Sequence, residues 1–166
     1  MHTRPGQSGK FLSFLPLAGL LTLLLGAGCQ TNSRPLPPVN LAEPGWTLRQ
    51  GQAVWRSRRD APELAGEILA ASNTDGRALI QFTKTPLPLV CAQLTAEGGW
   101  QVELIPQKNL STGQGVPPAR LAWLQLARAL NGLSVPPSVE FIRSQNGGWR
   151  LLNRDSGESV TGFFNP

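Results

Sequence analysis

From residue 45 onward, apolar and polar positions alternate with a period of two, broken once by a stretch with a period of three and four. Arg77 to Lys84 sets Ala78, Ile80 and Phe82 on one face and Gln81 and Thr83 on the other. Trp100 to Ile105 sets Trp100, Val102 and Leu104 against Gln101 and Glu103. Similar runs are Trp46 to Arg56 (with Gly51 as a candidate bulge), Leu64 to Ala71, Leu89 to Thr95, Val139 to Arg143, Trp149 to Asn153 and Ser159 to Phe164. Asn73-Thr74-Asp75-Gly76, Glu97-Gly98-Gly99, Asn146-Gly147-Gly148 and Asp155-Ser156-Gly157 are turn signals between them, and Pro86 and Pro88 close the third run. The change of period falls on Ala119 to Leu130. There Ala119, Ala122, Trp123, Leu126, Ala127 and Leu130 share a helical face, which Leu121 and Leu124 widen. Pro117-Pro118 before it and Asn131-Gly132 after it are the expected boundary residues. The pattern predicts a mainly β (α+β) body: antiparallel hairpins of about eight strands, with one amphipathic helix inserted between two hairpin groups.

Before residue 45 the chain is of another kind. Arg4 and Lys10 precede an apolar run from Phe11 to Leu25, and Gly26-Ala27-Gly28 lead into Cys29. That order is a secretion signal. A membrane-spanning helix needs roughly 20 apolar residues, and this run is shorter and interrupted by Pro16 and Gly19. The cysteine at the cut resembles the lipobox of bacterial lipoproteins, with Leu25 one place further out than usual and Gly26 in its stead. The resemblance implies cleavage before Cys29, a diacylglycerol on its sulfur and an acyl chain on its nitrogen, with no other cofactor. An ordinary cleaved signal would instead leave Cys29 as a plain thiol. Gln30, where an aspartate would favour retention in the inner membrane under the enterobacterial sorting rule, points to the outer membrane facing the periplasm. Thr31 to Pro44 carries Pro35, Pro37, Pro38 and Pro44 and reads as a tether. At about 3.1 Å per residue it would reach on the order of 40 Å. The expected organisation is a signal peptide over 1–28, a tether over 29–44 and a body over 45–166.

Composition narrows the chemistry. Loss of Arg4 and Lys10 with the signal lowers the formal charge from +5 to +3, which calls for no nucleic acid. Arg56, Arg58 and Arg59 form one dense basic cluster, for which a solvated turn is the plainer reading than a phosphate or headgroup site. The single histidine, His2, leaves with the signal, removing the commonest general base and metal ligand, and there is no tyrosine. Cys91 sits in the apolar run Leu87 to Leu94 and reads as packing rather than as a nucleophile. Glu63 and Glu67 are four apart, roughly 13 Å along a strand and too far to share a site. No metal-ligand cluster and no phosphate-cradling glycine loop is present. Trp46, Trp55, Trp100, Trp123 and Trp149 serve as well in a core or as cross-strand partners as in a binding site.

The layout resembles the LolA/LolB family of periplasmic lipoprotein carriers and outer-membrane lipoprotein receptors. The carrying segments are Gly45-Trp46-Thr47-Leu48-Arg49-Gln50-Gly51, Gly76 to Phe82, Pro86-Leu87-Pro88-Leu89, the Pro117 to Leu124 segment and the last hairpin around Trp149. The resemblance implies an incomplete or curved antiparallel β-barrel whose helix closes an apolar cavity for acyl chains. Ile80, Phe82, Trp100, Val102, Leu104, Trp123 and Leu126 are the candidate cavity lining. The same seven residues would equally pack against one another as a solid core.

Three functions follow. The first is a non-enzymatic envelope lipoprotein that is anchored to the membrane by its lipid and binds or transfers lipid or lipoprotein acyl chains. The second is a structural or assembly lipoprotein with a solid core, acting on envelope proteins through the Phe163-Phe164 end and the Arg56 to Arg59 corner. The third, a lipid hydrolase, lacks a histidine and a nucleophile-elbow motif.

Overall fold

A computed structural model describes residues 35–166 of the chain. The strands are β1 (Trp46–Arg56), β2 (Leu64–Asn73), β3 (Ala78–Lys84), β4 (Leu87–Leu94), β5 (Gly99–Leu104), β6 (Asn109–Gln114), β7 (Val139–Arg143), β8 (Gly148–Asn153) and β9 (Ser159–Phe164). A 3₁₀ turn, Ile105–Gln107, precedes β6, and the helix α1 (Ala122–Leu130) separates β6 from β7. All nine strands form one antiparallel sheet in the order β6-β5-β4-β3-β2-β1-β9-β8-β7. The sheet is not closed, because β6 and β7 are its two edges.

The sheet is curved around the helix. α1 touches β3, β4 and β5 and also β7 and β8. β5 and β8 are six strand steps apart, about 29 Å in a flat sheet at roughly 4.8 Å per step. A helix about 10 Å across reaches both only if the sheet wraps around it. The inner face supplies Ala53, Trp55, Ile68, Ile80, Phe82, Val90, Trp100, Val102, Leu151 and Val160 to one buried core with Trp123, Leu124 and Leu126 of the helix. The described sheet, helix and core are built from residues 35–166.

Among the described residues, nine strands replace the expected eight. The strand that the pattern missed, β6, carries Gly113 at an inward position opposite Trp100. A Cβ there would lie 2.2 Å from the Trp100 ring, so the neighbouring strand's indole fills the place of a side chain. Trp149 lies over Gly162 of β9 in the same way. Gly113→Ala is therefore expected to destabilise the fold by about 1–3 kcal/mol through overpacking. Urea unfolding should show a lower midpoint with an unchanged slope.

Three further expectations are corrected. Gly51 is not a bulge: its pairing with β2 and β9 is continuous, and it is small because the Phe163 carbonyl oxygen would be 1.9 Å from a Cβ. The bulge lies at Phe82/Thr83. It accommodates Pro88, which pairs with β3 before the pairing of β4 with β5 begins at Val90, so no ladder bond is lost. The helix begins at Ala122 rather than Ala119. The Ala119 carbonyl, free for a first helical turn, instead accepts from Asn153 Nδ2 at 2.9 Å. Gln125 Nε2 donates to the carbonyls of Pro117 and Pro118, pinning the approach to the helix.

At its other end the helix stops in a left-handed Gly132, as Asn131-Gly132 suggested, with Leu133 N–H returning to the Arg128 carbonyl. The Leu130 carbonyl accepts from Arg49 and Arg143, two cations where the helix dipole favours them. The proline-rich segment is docked from Leu36 on. Leu36 N–H donates to Gln101 Oε1 at 2.7 Å, and Gln93 Nε2 donates to the Pro37 carbonyl at 3.1 Å. Arg77 binds Glu43 and lies over Trp46. Outward-facing Gln93 and Gln101, which make the bonds to Pro37 and Leu36, are buried, so the segment lies as a strap against the sheet where Leu36 and Pro37 dock.

Candidate functional site

The seven candidate lining residues do come together. Ile80, Phe82, Trp100, Val102, Trp123 and Leu126 are buried in one core, and half-buried Leu104 packs against it. The centre is aromatic: Trp123 stands 5.2 Å from Phe82 and 5.6 Å from Trp55 between ring centroids. Phe82, Leu124 and Leu126 have no exposed surface. The helix is buried on nearly every side, with Gln125 fully enclosed, instead of showing one polar face to solvent. Packing of this kind leaves little room for a ligand. Beside these residues, Val102, Leu104 and Trp123 border a space of about 100 Å³ near the start of the helix, shared with Asn109, Ser111, Arg120 and Glu158.

Glu158 is the unusual group at this mouth. It follows Gly157 in the β8–β9 turn and directs its carboxyl inward, where Oε1 accepts from Trp55 Nε1 at 2.9 Å. Burial pushes its pKa up to about 7, and the indole hydrogen bond opposes that rise only in part. Alternation did not reveal this residue, because it sits in a turn rich in polar side chains.

A larger concavity lies on the other side of the sheet. Ala53 points inward on β1, so Gln52 and Val54 point outward. They line a groove of about 830 Å³ with Ala65 and Glu67 of β2, Thr83 and Lys84 of β3, Thr161 and Phe163 of β9, and Pro166. Phe163 is half exposed here, whereas Phe164 packs on Trp149 at 5.6 Å and beneath Arg49. A second outer concavity, about 240 Å³, is lined by Arg56, Arg59, Arg150 and Arg154 with Leu152, Gly157 and Ser159. The sequence displayed the first two arginines as neighbours. The other two join them only through the pairing of β1 with β9 and of β9 with β8.

Cys91 faces outward between Gln81 and Glu103 of the flanking strands. Burial and the Glu103 charge push its thiol pKa up, against a smaller lowering by Gln81, so the protonated thiol is favoured. Among the described residues there is no group of three histidine, cysteine or acidic side chains able to hold a metal. Among them, too, no helix is long and apolar enough to cross a membrane. The expected signal peptide over 1–28, Cys29 and Gln30 lie outside the described residues. No known protein family and no curated protein matches the chain.

Proposed function

We propose that the chain is a membrane-anchored, non-enzymatic lipoprotein of the cell envelope. Its body is a filled form of the LolA/LolB-like half-barrel and works through contacts with envelope proteins. The anchor rests on the sequence around Cys29, and the outer-membrane, periplasm-facing location on Gln30. The observation that carries the contact reading is the seating of α1 in the curved sheet. With Phe82, Leu124 and Leu126 fully enclosed, the inner side retains a space of about 100 Å³, below the roughly 300–1,000 Å³ of ligand pockets. Exposed Phe163 and Ile142 on the outer side supply apolar contact area.

Cys29→Ser tests the anchor. The variant is expected to lose metabolic palmitate labelling and to move from the membrane fraction to the released fraction. Labelling that persists in this variant refutes the anchor.

The outer groove favours a second reading, in which the body binds or transfers acyl chains on the opposite side from the seven expected residues. Its volume is within the ligand range, and Val54, Ala65, Phe163 and Pro166 offer apolar surface. A photoactivatable palmitate would then crosslink to Val54 or Phe163 and spare Trp123. The absence of crosslinks in that groove removes this reading.

A further inference from the structure

We infer that the concavity formed by Arg56, Arg59, Arg150 and Arg154 is a binding site for a phosphate group. The inference is independent of how the inner side of the sheet is used.

Four arginines lining a space of about 240 Å³ is an arrangement that folding alone does not favour, since like charges repel. The backbone nevertheless holds them together. Arg56 ends β1 opposite Ser159 of β9, and Ser159 lies opposite Leu152 of β8. Arg150 shares the outer face with Leu152, two residues away. Arg154 follows β8 directly. Arg59 is brought in from the turn after β1 by a close approach of two chain segments. Gly157 has φ +72°, and a Cβ on it would lie 2.8 Å from the Arg59 Cβ and 3.0 Å from the Arg59 nitrogen. A glycine in the left-handed region is what permits that approach.

Charge compensation is incomplete. Arg56 pairs with Glu63, and Arg154 pairs with Glu140 at 2.8 Å. Arg59 and Arg150 have no carboxylate partner among the described residues. Asp60 and Asp155 lie in the adjoining turns but do not line the concavity and make no ion pair with the arginines among the described residues. Planar guanidinium groups offer paired N–H donors matched to phosphate oxygens. Ser159 adds a hydroxyl at the rim and Leu152 an apolar wall. A phosphate group, carried either by a lipid headgroup or by a soluble molecule, matches this set in size and charge.

The test uses the chain from residue 29 on, with Cys29→Ser to remove the lipid. Binding is measured to vesicles of phosphatidylcholine alone, to vesicles mixed with phosphatidylglycerol, and to inorganic phosphate and pyrophosphate in solution. The site variant is Arg59→Ala/Arg150→Ala. The control is Arg58→Ala/Lys108→Ala, which removes the same charge from residues outside the concavity. The site variant is expected to bind at least about tenfold more weakly, and the control to stay close to the parent, with binding falling as salt rises. Binding confined to the phosphatidylglycerol vesicles identifies a headgroup site; binding to the soluble anions identifies a soluble phosphate ligand. Equal loss in both variants reveals only diffuse attraction by net charge and overturns the site. So does binding to none of the anions by a parent chain whose unfolding transition shows it to be folded.

Discussion

Trp123→Ala is expected to destabilise the body by about 3–5 kcal/mol, the range for emptying a large aromatic from a core that cannot fully collapse. Trp123 is 2% exposed and touches Trp55 and Phe82 at ring-stacking distances. It anchors the helix to β1 and β3 through those rings, and the helix itself contacts β3–β5 and β7–β8. Its loss should lower the urea midpoint and quench-protect fewer of the remaining tryptophans. A cost below about 1 kcal/mol would mean that the helix is loosely seated and that the inner side can open.

The second large effect is a pH dependence set by Glu158. Its folded pKa is raised from 4.5 to about 7, mainly by burial. Between those values the native state holds a proton that the unfolded chain releases. Stability from this group is therefore fullest below about pH 4.5, declines as pH rises toward 7, and is level above that. At 1.36 kcal/mol per pKa unit, and discounted for partial solvent access, the decline is about 2–3 kcal/mol. Urea unfolding between pH 5 and 8 should show it. Glu158→Gln keeps an oxygen for Trp55 Nε1 and carries no proton to lose, so its stability should be nearly flat over the window. Parallel curves for parent and variant would place the decline elsewhere.

Much of this architecture was legible in the residues. β1, β7 and β9 run between the boundaries that turn residues and alternation suggested, and Ala78, Ile80 and Phe82 face the core as their spacing required. β6 was not legible because its inward place at Gly113 is occupied by the Trp100 ring, so its own sequence carries no apolar alternation. The start of β4 was hidden by Pro86 and Pro88, which signal an end except at a bulge. The strap was hidden because proline-rich composition reports the absence of a core, not docking through Leu36 and Pro37 backbone atoms.

The sites divide along the same line. Strand alternation and helical spacing together gather the seven inner residues, yet filling depends on how far the helix sinks between β3–β5 and β7–β8, a property of the whole sheet. The arginine concavity needs β1 beside β9 and β9 beside β8, a long-range closure that no local pattern encodes. Glu158 becomes unusual only through burial in the folded body, beside a Trp55 indole 103 residues away in sequence.

The most direct measurement is the mass of the mature chain extracted from membranes, taken under native conditions and after denaturation, together with photo-crosslinking of a palmitate probe. A body with its inner side filled should show the covalent lipid on Cys29, no second acyl chain lost on denaturation, and no crosslink at Ile80, Phe82, Trp100 or Trp123. One non-covalent acyl chain per molecule, crosslinked to those four residues, would contradict it.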